Sequence, residues 1–147
     1  MGVILSAVVV WFSLYPASPG DVSTSYKVVV APSNPMTALK RQELAKLFLR
    51  KMTRWQDGRE VLPVDQWARA PVRAVFTRDV LRVEGLGQLS AVESYWMQQL
   101  YSGRGTPPLI KSGDAEVLEF VSQNPGAVGY VTTTADTSGV RVVAVAE

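Results

Sequence analysis

The stretch Asn124–Val131, NPGAVGYV, constrains this chain more than any other. Pro125 lacks an N–H and its ring clashes with a continuing helix, so the apolar-periodic segment before it must stop there. Gly126 is expected to take a positive φ and swing the chain round. Ala127–Val131 then reads as a short buried strand. A helix that stops and turns at once into a buried strand is an α/β connection, and it needs other strands beside it.

The rest of the chain supplies them. YKVVVAPSNP is a β-branched run closed by Pro, Ser and Asn, a buried strand ending in a turn. ALKRQELAKLFLRKMTRW places Leu44, Leu47, Phe48 and Met52 on one helical face, with Lys and Arg opposite. Asp57-Gly58 breaks that helix, and Glu60–Val64 reads as a strand whose Pro63 argues for an edge position or a strand end. Pro71 suits the first position of a helix that buries Val72, Val75, Phe76 and Val80. A further helix, SAVESYWMQQLYSG, has Ser90 and Glu93 at capping-box spacing and stops at Gly103. Asp114–Gln123 is the last helix, with Val117, Leu118 and Val121 inward, and VRVVAVA the last strand. The expected order is β-α-β-α-α-α-β-β, a mixed α/β domain.

Composition narrows the chemistry. Among 147 residues there is no cysteine and no histidine, so thiol nucleophiles, thiolate metal sites and Ser-His-Asp triads are excluded. No spacing pairs two carboxylates on one face beside a nucleophile, which argues against an enzyme, and no metal or cofactor is called for. Fifteen Lys and Arg are interspersed with thirteen Asp and Glu, without a basic tail, so nucleic acid is not the expected partner.

Residues 1–20 carry no charged side chain. The apolar part, Gly2–Leu14, is shorter than the roughly 20 residues that span a bilayer, and small residues follow it. It reads as an export signal that lacks the basic n-region, leaving no stable membrane span once cleaved. An uncleaved anchor and a buried strand are the alternatives.

Three segments in order carry a resemblance. ELAKLFLRKMTRWQDG, APVRAVFTRDVL with Phe76 at an aromatic position, and EVLEFVSQNPGAVGYV are similar to successive segments of the phosphate-type substrate-binding proteins of ABC transporters. The resemblance covers Val28–Val131 and implies one mixed-sheet lobe of the type II periplasmic-binding-protein-like fold over 26–147, with helices packed on the sheet. It also implies a periplasmic or exported location, a small anion such as phosphate as ligand, and a link to phosphate uptake. In the family, phosphate lies between two lobes, against an Arg, an Asp and a Ser-Gly-Thr run at a helix start. Here the matching loop is DQWARAPVR, with Ala70, Pro71 and Val72 over Ser-Gly-Thr, so the hydroxyls are missing.

Replacement anion ligands would be Arg69 and Arg73 at that helix start, with Arg104 and Thr106 from SGRGTPP. The competing reading is that Arg73 pairs with Asp65 and Arg104 is hydrated. Ser33 and Asn34 either line a crevice at a strand's carboxyl end or satisfy turn amides. Trp55 and Trp96 read as core, and Trp67 as the aromatic beside the site. A chain of one lobe needs a second chain, another copy or a different protein, to close over a ligand. The alternative function is an envelope interaction or sensory lobe that has lost its ligand.

Overall fold

Alternate valines of one strand serve two cores. On β1 (Tyr26–Val30), Val28 and Val30 enter one apolar cluster and Val29 another, so both faces of its sheet are covered. The computed structural model describes residues 25–147; residues 1–20, expected to be an export signal, lie outside them. Chain order continues with β2 (Ala38–Lys40), α1 (Arg41–Phe48), β3 (Leu62–Gln66), α2 (Pro71–Asp79), a 3-10 turn at Leu81–Glu84, α3 (Leu89–Tyr101), β4 (Leu109–Lys111), α4 (Asp114–Gln123), β5 (Ala127–Thr132) and β6 (Arg141–Ala146).

The six strands form one mixed sheet in the order β2-β6-β1-β5-β3-β4. β1 runs antiparallel to both its neighbours, whereas β3 is parallel to β4 and β5, and β2 to β6. Residues of α1, α2 and α3 join Val28, Val30, Val128 and Tyr130 on one face. Val117 and Val121 of α4 join Val29, Val64, Ala127 and Val131 on the other. Phe76 stacks on Tyr130 with centroids 4.0 Å apart, and Phe48 leans on both rings. The aromatic position of α2 is thus a packing position.

The Pro-Gly turn is built as expected but for a different reason. Asn124 Nδ2 donates to the Phe120 carbonyl (2.8 Å), and the Ala127 N–H closes the turn on Asn124 O (2.9 Å). Gly126 does not have a positive φ. It is glycine because a Cβ there would sit 2.1 Å from the Glu60 carbonyl oxygen. Its own carbonyl accepts from the Trp55 indole and from the Leu62 N–H, both at 2.9 Å. The turn therefore clamps the loop before β3 to the start of β5.

Other expectations shift with tertiary context. α1 ends at Phe48 rather than near Trp55, because Arg50 takes φ 59° and the Lys51 N–H reaches back to Lys46 O (2.9 Å). Met52 therefore leaves the helical face and lies exposed, while Trp55 is buried through its own loop. Ser90 makes no cap: α3 starts at Leu89 without a side-chain cap bond. The reach-back occurs at α1 instead, where Glu43 Oε2 accepts from the Lys40 N–H (3.2 Å). Val75 of α2 and Leu118 of α4 are only partly buried. Of the two positions expected for Pro63, the structure gives the strand end: it is the second residue of an interior strand, not part of an edge. The Leu62 N–H points to β5, so alternation turns the Pro63 nitrogen toward β4, which begins only opposite Val64.

Candidate functional site

Parallel strands β3, β4 and β5 end at the same sheet edge, and the starts of α2 and α4 sit there with them. Strand β3 brings two polar side chains into that apolar surrounding, Asp65 at 8% exposure and Gln66 at 2%. Burial on this scale demands partners. Asp65 Oδ2 faces Arg73 Nη2 at 3.2 Å, while Oδ1 accepts from the Gln66 N–H (2.8 Å) and from the Tyr130 hydroxyl. Burial pushes the Asp65 carboxyl up; the Arg73 guanidinium, the Tyr130 hydroxyl and the Gln66 amide pull the other way. The Tyr130 hydroxyl is raised in turn, by burial first and then by the carboxylate beside it.

A second knot lies alongside. Gln66 Nε2 donates to Asp114 Oδ1 and to the Tyr130 carbonyl, both at 2.9 Å. Asp114, the first residue of α4, also accepts from the Thr132 N–H (3.1 Å) and the Thr132 hydroxyl (2.5 Å). Two of the protein's own carboxylates thus occupy the electropositive helix-start side of the sheet. No local sequence signal reported either knot beyond the Asp65–Arg73 pairing, because Tyr130 and Thr132 lie far along the chain.

At the α2 start, an anion finds few free amides. Pro71 has no N–H, the Ala70 N–H goes to Trp67 O (2.8 Å), and the Arg73 N–H goes to Ala70 O (3.0 Å). What remains is guanidinium. Arg73 is 8% exposed, and its Nε proton has no acceptor among the described residues. Arg69 is exposed, with its Cζ 5.6 Å from the Trp67 ring centroid, and Trp67 itself is 53% exposed.

The structure sets the Arg69 guanidinium beside Trp67 in the loop before α2, whose third residue is Arg73, and places Ser33 and Asn34 elsewhere. Ser33 and Asn34 follow β1, which runs against β5, so they lie at the opposite sheet edge, roughly 15 Å away by strand length. That is the carboxyl end of β1 but the amino end of its antiparallel neighbours β5 and β6. Asn34 there closes a turn, its Oδ1 accepting from the Met36 N–H (3.0 Å), while Ser33 is exposed. Arg104 and Thr106 are exposed in the loop that leads into β4. Among the described residues, no group of three acidic side chains is placed to hold a metal, and no helix is long and apolar enough to cross a membrane.

Beside Arg73 opens a cleft of about 1260 Å³, lined mostly by apolar atoms. Ala68, Leu86, Trp96, Met97, Tyr101 and Ile110 are among its walls.

No protein-family model matches the chain, and no curated protein sequence matches it. Solved structures do match it in fold. An ABC-type phosphate transport receptor from Vibrio cholerae aligns with a TM-score of 0.60 at 18% identity, over 82% of this chain and 45% of that one. PstS from Borrelia burgdorferi aligns with a TM-score of 0.60 at 13% identity, over 82% and 46%. The phosphate binding protein from Stenotrophomonas maltophilia gives 0.56 at 16% identity, over 83% and 39%. This chain spans less than half the length of these neighbours, and identity at that level carries the fold alone. In fold, it resembles a single lobe of the phosphate ABC transporter substrate-binding proteins.

Proposed function

We propose that this chain is an exported, non-enzymatic binding lobe that recognises a small oxyanion, phosphate first, on the guanidinium surface at the start of α2. The observation that carries the reading is the exposed Arg69 guanidinium beside Trp67 in the loop that leads into α2. The phosphate named for the aligned receptors supports the same class of ligand. The apolar residues 1–20 support export to the bacterial envelope.

The chemistry follows from what is missing. Without hydroxyls and with few free amides, the anion is held by Arg69 and the outer side of Arg73, in water on at least one side. Such binding is weak and falls with salt, because exposed charges are screened within about 10 Å at 0.1 M ionic strength. A covering chain would dry the site and strengthen it.

A second reading, an interaction or sensory lobe without a ligand, is favoured by one observation: Asp65 already serves Arg73 as its anion at 3.2 Å. Titrating the full chain calorimetrically with phosphate at low salt, with sulfate as competitor, separates the two. The expected result is heat that saturates at one phosphate per chain and weakens about tenfold in Arg69→Ala. Arg69 is the residue to change because Arg73→Ala would strand the buried Asp65. No saturable heat at millimolar phosphate would end the anion reading in favour of the second.

A further inference from the structure

Glu93 is the only charged residue of helix α3, and it lines the cleft beside Arg73. It is exposed and has no cation within salt-bridge range among the described residues. Arg73, the other charge in that lining, is already answered by Asp65. An occupant of the cleft therefore has to bring a cation to Glu93 and apolar surface to the rest.

The rest is a stripe. Glu93, Met97, Leu100 and Tyr101 are spaced i, i+4, i+7 and i+8, so they share one face of α3. Val92 and Trp96 anchor the neighbouring face in the core and leave this one outward: Met97 is 56% exposed, Leu100 51% and Tyr101 86%. Ile110, on the edge strand β4, adds a half-exposed side chain to the same cleft. A contiguous apolar surface of this kind marks an interaction site. Enclosed small-molecule pockets run to roughly 300–1,000 Å³, and this cleft is larger, about 1260 Å³.

The missing cation stands at the other end of the same helix. Gly103 takes φ 67°, and the N–H groups of Gly103 and Arg104 close back on Leu100 O (3.2 Å) and Gln99 O (3.0 Å). This turn fixes the backbone of Arg104 at the C-terminal end of α3. Arg104 is exposed there, with no carboxylate in range among the described residues. Eleven residues of helix rise about 16 Å, so Glu93 and Arg104 of one chain do not meet. In two copies of α3 laid antiparallel they do. A two-fold axis between Met97 and Leu100 sets Glu93 opposite the partner's Arg104, Met97 opposite the partner's Leu100, and Arg104 opposite the partner's Glu93. The two helix dipoles then run in opposite directions as well. An anionic lipid surface would instead meet Glu93 as a like charge.

We propose that α3 is a homodimer face. Two copies of this chain pair antiparallel through Met97, Leu100 and Tyr101, each α3 seated against the cleft of the other, with Glu93 on the partner's Arg104 at both ends. This goes beyond anion binding and does not rest on it, since it uses neither Arg69 nor Arg73 and is measured without phosphate.

The test is sedimentation equilibrium of the full chain in a phosphate-free, low-salt buffer. Expected is a monomer–dimer equilibrium that weakens about tenfold or more in Leu100→Ser. It is unchanged in Val142→Ser, the control, an exposed residue on β6 with three strands between it and β4. Charge reversal reads the register. Glu93→Arg and Arg104→Glu each set like charges together and dimerise more weakly alone. Mixed, the two variants form a heterodimer at least as well as the unaltered chain pairs with itself, because both contacts are then of opposite sign. A chain that stays monomeric up to about 1 mM overturns the proposal and leaves the face to a partner of another kind. A dimer indifferent to Leu100→Ser overturns it too, as do charge variants that pair no better mixed than alone. Binding of a monomeric chain to anionic vesicles, lost in Leu100→Ser, would overturn it by making the occupant a membrane.

Discussion

The two sides of Arg73 are built on opposite principles. Toward the sheet, the β3–α2 junction packs a carboxylate, a guanidinium, a phenol and a carboxamide into apolar surroundings, and almost every polar atom is answered from within. Toward solvent, α3 and β4 display apolar side chains that nothing within the described residues covers. In a free-standing solute receptor the first region would hold unanswered donors awaiting an anion, and the second would be polar. Here the buried region is close to self-sufficient and the surface is not. The uncovered apolar surface of this lobe lies on its α3 side, and the proposed anion site is confined to the guanidinium border between the two.

That contrast can be broken by mutation. Arg73→Ala leaves Asp65 charged and buried without its counter-ion, and the expected loss is about 3–5 kcal/mol in chemical denaturation. Replacing both partners by Leu and Met should recover most of it, since a buried pair is worth little more than packed apolar groups. If Arg73→Ala cost nothing, the junction would be wetter than its geometry says, and the anion reading would gain.

Tyr130→Phe comes next. It removes one donor to Asp65 and keeps the stack on Phe76, so a loss of about 1–3 kcal/mol is expected. The same variant sharpens a pH effect. Burial raises the Tyr130 hydroxyl far above its ordinary value near 10, and burial, then Asp79, raise that of Tyr26. A folded-state pKa above the unfolded one means stability that is complete below pH 10 and is lost as pH rises past it. Denaturant midpoints should therefore fall in alkali, less steeply in Tyr130→Phe, with Tyr130 phenolate absorbance appearing only on unfolding.

Smallest of all is the effect expected on the other side. Leu100→Ser should change stability by no more than about 0.5 kcal/mol, because the side chain is half in water already. A loss of several kcal/mol would mean that α3 is anchored through that face.

Much of the architecture can be read along the chain. Pro71 starts α2, Asn124 and Pro125 end α4, and the valine runs become β1, β5 and β6, because each rests on local backbone chemistry or on side-chain period. The site was legible in part. Trp67 and Arg69 could be located beside a helix start, and the Asp65–Arg73 pairing stood as one of two readings. The direction of β1 was not legible, so a crevice and a turn both stood open for Ser33 and Asn34, and the structure gives Asn34 the turn.

Residue type and short-range spacing determined the fold class, most of the helices and the exclusion of thiol and imidazole chemistry. Tertiary structure alone decided the rest. β2 and β4 are three-residue strands with no signature of their own, and exist because β6 and β3 offer them hydrogen bonds. Gly126 is required by a carbonyl sixty-six residues earlier in the chain, and Asp65 is satisfied by a tyrosine sixty-five residues later. Such contacts depend on which strands become neighbours, and that is set by burying both faces of one sheet, a condition no local stretch contains.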